Sequence, residues 1–360
     1  MKICLIGQNL TNLILAKVFE EKKLNVDIYL NKKNQSIKTN KTIAISSDNF
    51  DYLKFITKSN IIAWRSKKIK IFTESSKSKE IINFNKKNTE AFNLISYSKL
   101  NEIFSNQIKR SKYIKLIKTD TSKKIILKKI KNYDLVINSE NKNFISYKYF
   151  TNKIKKNYRS KAYTFLINHQ RKNNDVAIQV FTKYGPLAFL PFSNNKTSIV
   201  FSYKGSKIDD KKILKIFKKY NSFYKISKIS KIEIFNLSFE MLRNYTYSNI
   251  LAFGDLIHRI HPLAGQGFNM TIRDIKIISK IIDEKISIGL PIDFTVAEDF
   301  ENSTKHLNFL YGKAIDGIYE FFKLDNDVNN LISKPIFTVL NKNSIFKKYS
   351  NMLSDKGLNF

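Results

Sequence analysis

The sequence predicts an α/β protein with an inserted, mostly antiparallel sheet and closing helices. Three observations carry this reading. The first thirty residues run strand, glycine turn, helix, strand. Between Tyr163 and Tyr203 apolar residues alternate with a period of two. From Asn249 a short apolar strand runs into a carboxylate, a glycine-rich turn and a helix whose Ile272, Ile275, Ile278 and Ile282 recur at helical spacing.

The opening strands are expected at Lys2–Ile6 and Val26–Leu30, around a helix that ends near Lys22. A βαβ start of this kind places a pyrophosphate on a helix N-terminus. The usual fingerprint is G-x-G-x-x-G, and here it reads Gly7-Gln8-Asn9-Leu10-Thr11-Asn12. Asn tolerates positive φ, so a turn at Asn9 can survive; Asn12 adds bulk where helix and strand, or a ligand, come close. Leu30 and Asn31 stand where a ribose-binding acid is expected. Taken alone, the segment reads equally well as a βαβ unit that binds no nucleotide.

Ser47 is the expected N-cap of a helix carrying Phe50, Leu53 and Phe55. KKIKIFTESSKSKEIINFN reads as two short strands around a polar turn, and Ser96–Arg110 as an amphipathic helix with Leu100, Ile103, Phe104 and Ile108 on one face. Strands are expected near Ile114–Lys118, Lys124–Leu127 and Asp134–Ile137. AYTFLINH, DVAIQVFT, PLAFLPF and KTSIVFSY then form the antiparallel sheet, with His169 expected in a solvated turn. SKIDDKKILKIFKKY is a helix crossing that sheet, and His306 is placed on the surface of the long helical stretch after Ile275.

The segment GDLIHRIHPLAGQGFN is the most specific in the chain. Asp255 leaves a strand end where it can accept hydrogen bonds from sugar hydroxyls. Gly265 and Gly267 let backbone approach a ligand closely, and the following helix start offers N–H groups to electron-rich oxygens. With Asp255, His258, His261, Pro262, Gly265, Gln266, Gly267, Asn269 and Asp274 all in place, this stretch resembles the second flavin motif of FAD-dependent aromatic hydroxylases (the p-hydroxybenzoate hydroxylase-like family), in the ubiquinone-biosynthesis branch. Weaker likenesses run along the chain: Lys41 before Ile43-Ala44-Ile45, and Lys99, stand where the family has Arg; Gly185-Pro186 to Pro191 matches a substrate-side strand; Glu140-Asn141 replaces the family's Asp-Gly. Lys keeps the charge of Arg but not its planar fork.

The resemblance implies a Rossmann-like FAD domain, discontinuous over residues 1–61, 93–155 and 250–322, with a substrate domain over 62–92 and 156–249 and a C-terminal helical segment over 323–360. It implies FAD as cofactor, held by Gly7, Asn9, Asn12, Lys41, Lys99, Gly254, Asp255, Pro262, Gly265, Gln266, Gly267 and Asn269. The implied reaction is hydroxylation of a prenylated phenol or quinol in ubiquinone biosynthesis: NAD(P)H reduces the flavin, O2 adds, and a flavin hydroperoxide delivers one oxygen to the ring. Chemistry of this kind belongs to the cofactor. No metal site is expected and no catalytic residue is assigned; His258 and His261 are read as shaping the turn. The Asn replacements keep a second reading open, a flavin-poor scaffold subunit of a quinone-biosynthesis complex.

Composition narrows the rest. Lys and Arg number 64 against 30 Asp and Glu, a formal charge of +34. A nucleic-acid binder would cluster its cations with aromatics on one face, whereas these lysines are spread evenly. Drift toward adenine-rich codons, which encode Lys, Asn and Ile, explains the spread; attraction to an anionic membrane is the second reading. The basic amphipathic tail after Leu331 suits such a surface. The single cysteine, Cys4, excludes an internal disulfide and a zinc cluster. No apolar run reaches the roughly 18 residues of a membrane span, and the N-terminal apolar run stops at Gly7, too short for a signal peptide. The expected location is cytoplasmic, peripheral to the inner face of the membrane where the charge draws it there.

Overall fold

The computed structural model describes residues 2–31, 39, 41–74, 82–85, 92–261 and 265–327. Two large sheets organise them. The first has six strands in the order Thr246–Tyr247, Ile250–Ala252, Leu135–Asn138, Ile3–Ile6, Val26–Asn31 and Ile114–Thr119, parallel throughout except for the edge pair Thr246–Tyr247 with Ile250–Ala252. Its central strands ICLI and LVIN are buried at every position. That is what a continuous apolar run requires when helices cover both faces of a sheet.

Around this sheet and beyond it the chain forms helices α1 (Leu10–Glu21), α2 (Ser47–Thr57), α3 (Tyr97–Lys109), α4 (Ile125–Ile130), α5 (Phe144–Tyr149), α6 (Asp210–Tyr220), α7 (Gln266–Ser287) and α8 (Phe294–Asp327). In α7 the isoleucines at 272, 275, 278 and 282 all bury into the core of the parallel sheet, as their spacing predicts. Two expectations at this level need correction. Residues 124–127 were expected as a strand, yet Ile125–Ile130 is helical. Ile126 and Ile130 are four apart and both buried, a spacing that one face of a helical turn and one face of a strand both allow. The cap of α2 is Ser46, in extended conformation, rather than Ser47, which is the first helical residue.

The second sheet runs His258–Arg259, Glu233–Leu242, Lys153–His169, Lys196–Lys204, Gly185–Ser193, Val176–Thr182, Lys68–Thr73 and Ile82–Asn85, with Ile226–Ile229 added on the Lys153–His169 strand. It is antiparallel apart from the pairing of Val176–Thr182 with Lys68–Thr73. A small third sheet joins Thr42–Ile45, Phe92–Ser96 and Trp64–Ser66. Trp64 lies at its edge and donates its indole N–H to the Asn174 carbonyl at 2.7 Å. One face of the antiparallel sheet carries α6, whose Ile213 and Phe217 join a core with Phe165, Phe189 and Phe201.

His169 departs from the solvated turn expected of it. It closes the longest strand, is 5 % exposed, and bonds through Nδ1 to the Gln170 carbonyl at 2.9 Å and through Nε2 to Thr197 Oγ1 at 3.0 Å. Two local partners in reach make burial affordable. His306 is exposed on α8, as expected.

The other face of the antiparallel sheet is covered by the second half of α8. Tyr311, Ile315, Tyr319 and Phe322 pack there on Phe181, Phe239 and Met241, while Val296, Ala297 and Phe300 at the start of the same helix belong to the core of the parallel sheet. Among the described residues no helix is long and apolar enough to cross a membrane. The tail after residue 327 lies outside the described residues.

Candidate cofactor site

The C-terminal ends of the parallel strands bring four segments together. Strand Ile250–Ala252 ends in the 3-10 turn Gly254–Leu256. Gly254 has φ +60, and a Cβ there would lie 3.0 Å from Thr11 Cγ2, so the turn rests on the first turn of α1. Asp255 is exposed, and its carbonyl accepts from Asn141 Nδ2 at 3.3 Å. Tyr97, at the start of α3, reaches the same edge; burial, then the nearby Asp255 carboxylate, raises its phenol above the ordinary range, against the lowering effect of its bond with Leu10 N. The sequence thus places Asp255 correctly at a strand end, and the fold sets that end beside α1. Tyr97 and Ser139 join it without having announced themselves: neither residue type stands out in its stretch, and only the fold makes them neighbours.

The first βα turn is closed by its own side chains. Gly7 has φ +113, and its N–H donates to the Tyr29 carbonyl at 3.0 Å. Asn9 caps α1 in extended conformation; its Oδ1 accepts from Asn12 N at 3.1 Å, while its Nδ2 donates to Ser139 O at 3.1 Å and Ser139 Oγ at 2.8 Å. Asn12, where the fingerprint has its third glycine, is fully buried, and its Nδ2 donates to the carbonyls of Ile6 at 2.8 Å and Gly7 at 2.9 Å. Leu10 N donates to the Tyr97 hydroxyl at 3.3 Å. Lys41 and Lys99 are both exposed; Lys41 Nζ stands 5.5 Å over the Tyr97 ring.

The start of α7 is differently built. Gly265 precedes it in the left-handed region, φ +69 and ψ 20, and a Cβ there would meet Ala44 Cβ at 3.1 Å and Ala44 O at 3.2 Å. Asn269 clamps this start to the junction before α2: Nδ2 donates to Ala44 O at 2.9 Å, and Oδ1 accepts from Ser46 N at 3.0 Å and Asn49 Nδ2 at 3.1 Å. Gln266 Oε1 accepts from the Tyr311 hydroxyl of α8 at 2.6 Å, and burial pushes that phenol up to about 12. Gly267 faces Ile260, whose Cγ1 would be 3.7 Å from a Cβ there. Asn269 and the side chain of Gln266 therefore position the turn, and Asn269 Nδ2 also donates to the Gly265 carbonyl at 3.3 Å. Pro262 lies outside the described residues.

Two buried histidines flank the turn. His258 Nε2 pairs with Asp274 Oδ2 at 2.7 Å, with both side chains fully buried. His261 is also fully buried, stacked on Tyr319 at 4.3 Å and edge-on to Tyr158 at 5.2 Å. Neither of its ring nitrogens has a hydrogen-bond partner among the described residues. Burial holds its imidazole down to about 3, neutral at any ordinary pH, with Asp316 and Glu320 only partly offsetting this. Beside it Tyr158 donates to Asp316 Oδ1 at 2.8 Å, and Lys156 bonds both carboxylate oxygens at 3.0 Å. No group of three or more metal-ligating side chains occurs among the described residues.

With this geometry in hand, comparison with known proteins gives a consistent answer. The profile of the family described as "FAD binding domain" matches residues 206–287, which contain Asp255 and the whole start of α7. The ubiquinone biosynthesis monooxygenase COQ6 of Dictyostelium discoideum is 27% identical over 183 residues, which is 40% of this chain and 37% of that protein. The chain is similar, over part of its length, to monooxygenases named for ubiquinone biosynthesis. The ubiquinone hydroxylase UbiL of Rhodospirillum rubrum is 22% identical over 177 residues, covering 47% of this chain and 41% of UbiL. The matched stretches thus span less than half the length of these relatives. The fold likeness runs further: the p-nitrophenol 4-monooxygenase PnpA of Pseudomonas putida superposes with a TM-score of 0.79 over 99% of this chain and 98% of PnpA, at 7% identity. The fold, a parallel α/β sheet with an antiparallel sheet packed beside it, is therefore shared with that protein.

Proposed function

We propose that the chain is an FAD-dependent monooxygenase that hydroxylates a prenylated aromatic ring in ubiquinone biosynthesis, with NAD(P)H and O2 as co-substrates. The observation that carries this is an exposed carboxylate, Asp255, in a turn that ends the parallel strand Ile250–Ala252 and packs on α7, the helix that Gly265 precedes in the left-handed region. The ring and ribityl half of a flavin fits these residues. Gly265 has no room for a Cβ against Ala44, and the exposed carboxylate of Asp255 can accept from ribityl hydroxyls. A bound flavin would supply the redox and oxygen chemistry. The protein's share is to bind, orient and exclude water.

Each share has residues. Asp255 would hold the ribityl chain. The backbone at Gly265 and Gly267 would face the ring edge, with Asn269 and the Gln266–Tyr311 bond fixing that backbone in place. Likeness to monooxygenases named for ubiquinone biosynthesis points to an aromatic, lipid-soluble substrate. Such a substrate lives in a membrane, and the charge of +34 would draw the protein to an anionic one. Asp255→Ala tests the reading: the purified variant should keep its fold by circular dichroism and lose most of its bound flavin. Equal flavin content in variant and parent would remove Asp255 from the site.

One observation supports a second reading, a scaffold in a quinone-biosynthesis complex that carries little flavin. The turn before α1 is filled by Asn9 and Asn12. The visible absorption spectrum of the purified full-length protein separates the two: flavin bands favour the monooxygenase, and their absence after incubation with excess FAD favours the scaffold.

A further inference from the structure

A dinucleotide binds to a fold of this kind at two ends, and here the two ends differ. At the diphosphate end, affinity comes from main-chain N–H groups at the start of α1, approached closely because the turn lacks side chains. In this chain two of those groups are engaged by side chains. Leu10 N bonds the Tyr97 hydroxyl at 3.3 Å, and Asn12 N bonds Asn9 Oδ1 at 3.1 Å. The space is occupied as well. The Asn9 amide crosses to Ser139, and Asn12, fully buried, fills the position of the third glycine while bonding Ile6 O and Gly7 O. A phosphate entering here would have to displace these side chains and exchange the bonds at Leu10 N and Asn12 N for its own, which leaves little net gain. Lys41 and Lys99 offer only solvent-exposed point charges.

We infer that Asn9, Asn12, Tyr97 and Ser139 form an internal plug in the diphosphate cradle, so that this chain recognises flavin by its ring and ribityl end and gains little from the adenosine diphosphate. This deepens the flavin reading above and rests on it. The consequence is a cofactor specificity: riboflavin and FMN should bind about as well as FAD.

Fluorescence titration of flavin-free, full-length protein with riboflavin, FMN and FAD measures this directly. The three dissociation constants are expected within about tenfold of one another, about 1.4 kcal/mol. FAD binding more than about tenfold tighter than riboflavin would overturn the inference and leave the flavin reading standing. Binding of none of the three would overturn both. Two variants locate the effect. Asn9→Gly combined with Asn12→Gly should tighten FAD binding by tenfold or more and leave riboflavin unchanged. Tyr97→Phe, which removes one hydroxyl and keeps the ring, should shift FAD in the same direction should the double variant fail to fold. FAD affinity unchanged in folded Tyr97→Phe and folded double variant would show that the plug does not govern the cradle.

Discussion

At the scale of single residues, His261 is the most unusual group in the molecule. It is fully buried between two tyrosines, with neither nitrogen partnered among the described residues. Lys156, Tyr158, Asp316, Tyr319 and Glu320 surround it, yet burial dominates and holds its pKa near 3, against 6.5 for an ordinary histidine. The sign follows from proton counting. Below about pH 6.5 the unfolded chain takes up a proton that the native chain refuses, so stability falls as pH drops from about 6.5 toward 3, by roughly 1.4 kcal/mol per unit. His261→Phe should abolish this slope and keep the stack on Tyr319. Urea denaturation at pH 5 and pH 7.5 checks it: the difference between the two pH values should shrink in the variant, and an unchanged difference would assign the slope elsewhere. Asn269 shows the converse lesson. Its place in the motif suggests a cofactor ligand, but its side chain bonds Ala44, Ser46 and Asn49, so in this chain it serves the shape of the turn.

At the scale of elements, the turn from Gly265 into α7 depends on a conformation that only glycine adopts cheaply. Gly265→Ala would place a Cβ 3.1 Å from that of Ala44 at φ +69, a cost of about 1–3 kcal/mol. The expected outcome is a lower melting temperature together with weaker flavin binding. A variant that loses neither would show the turn to be adaptable. This stretch was legible in the sequence because its signals are local: strand, carboxylate, glycine, then isoleucines at helical spacing. The strands were legible for the same reason, since period two needs no knowledge of neighbours. Residues 124–127 were misread because one turn of helix and a short strand bury two isoleucines equally well. His169 was misread because its partner Thr197 comes from the adjacent strand. Tyr97 and Ser139 were invisible because their part in the site comes from strand order, which brings residues 130 positions apart together.

At the scale of the whole molecule, charge and architecture make separate demands. A formal +34 is carried by a fold shared, at 7% identity, with a protein of different sequence. If the charge serves a surface, binding to anionic vesicles should be measurable at low salt and should weaken as salt shortens the roughly 8 Å screening length. Deletion of Ser344–Phe360 should then reduce vesicle binding and leave flavin content unchanged. Sedimentation with vesicles decides the matter, and indifference of the full-length protein to anionic vesicles would assign the lysines to codon drift.

The 34-residue helix α8 is the feature that joins these scales. Its first turns are set in one core and its later turns in the other, with the Tyr311–Gln266 bond halfway between. It therefore acts as a splint across the seam between the two sheets, with the glycine turn tied to its midpoint. Neither sheet can swing away from the other without breaking or bending that rod.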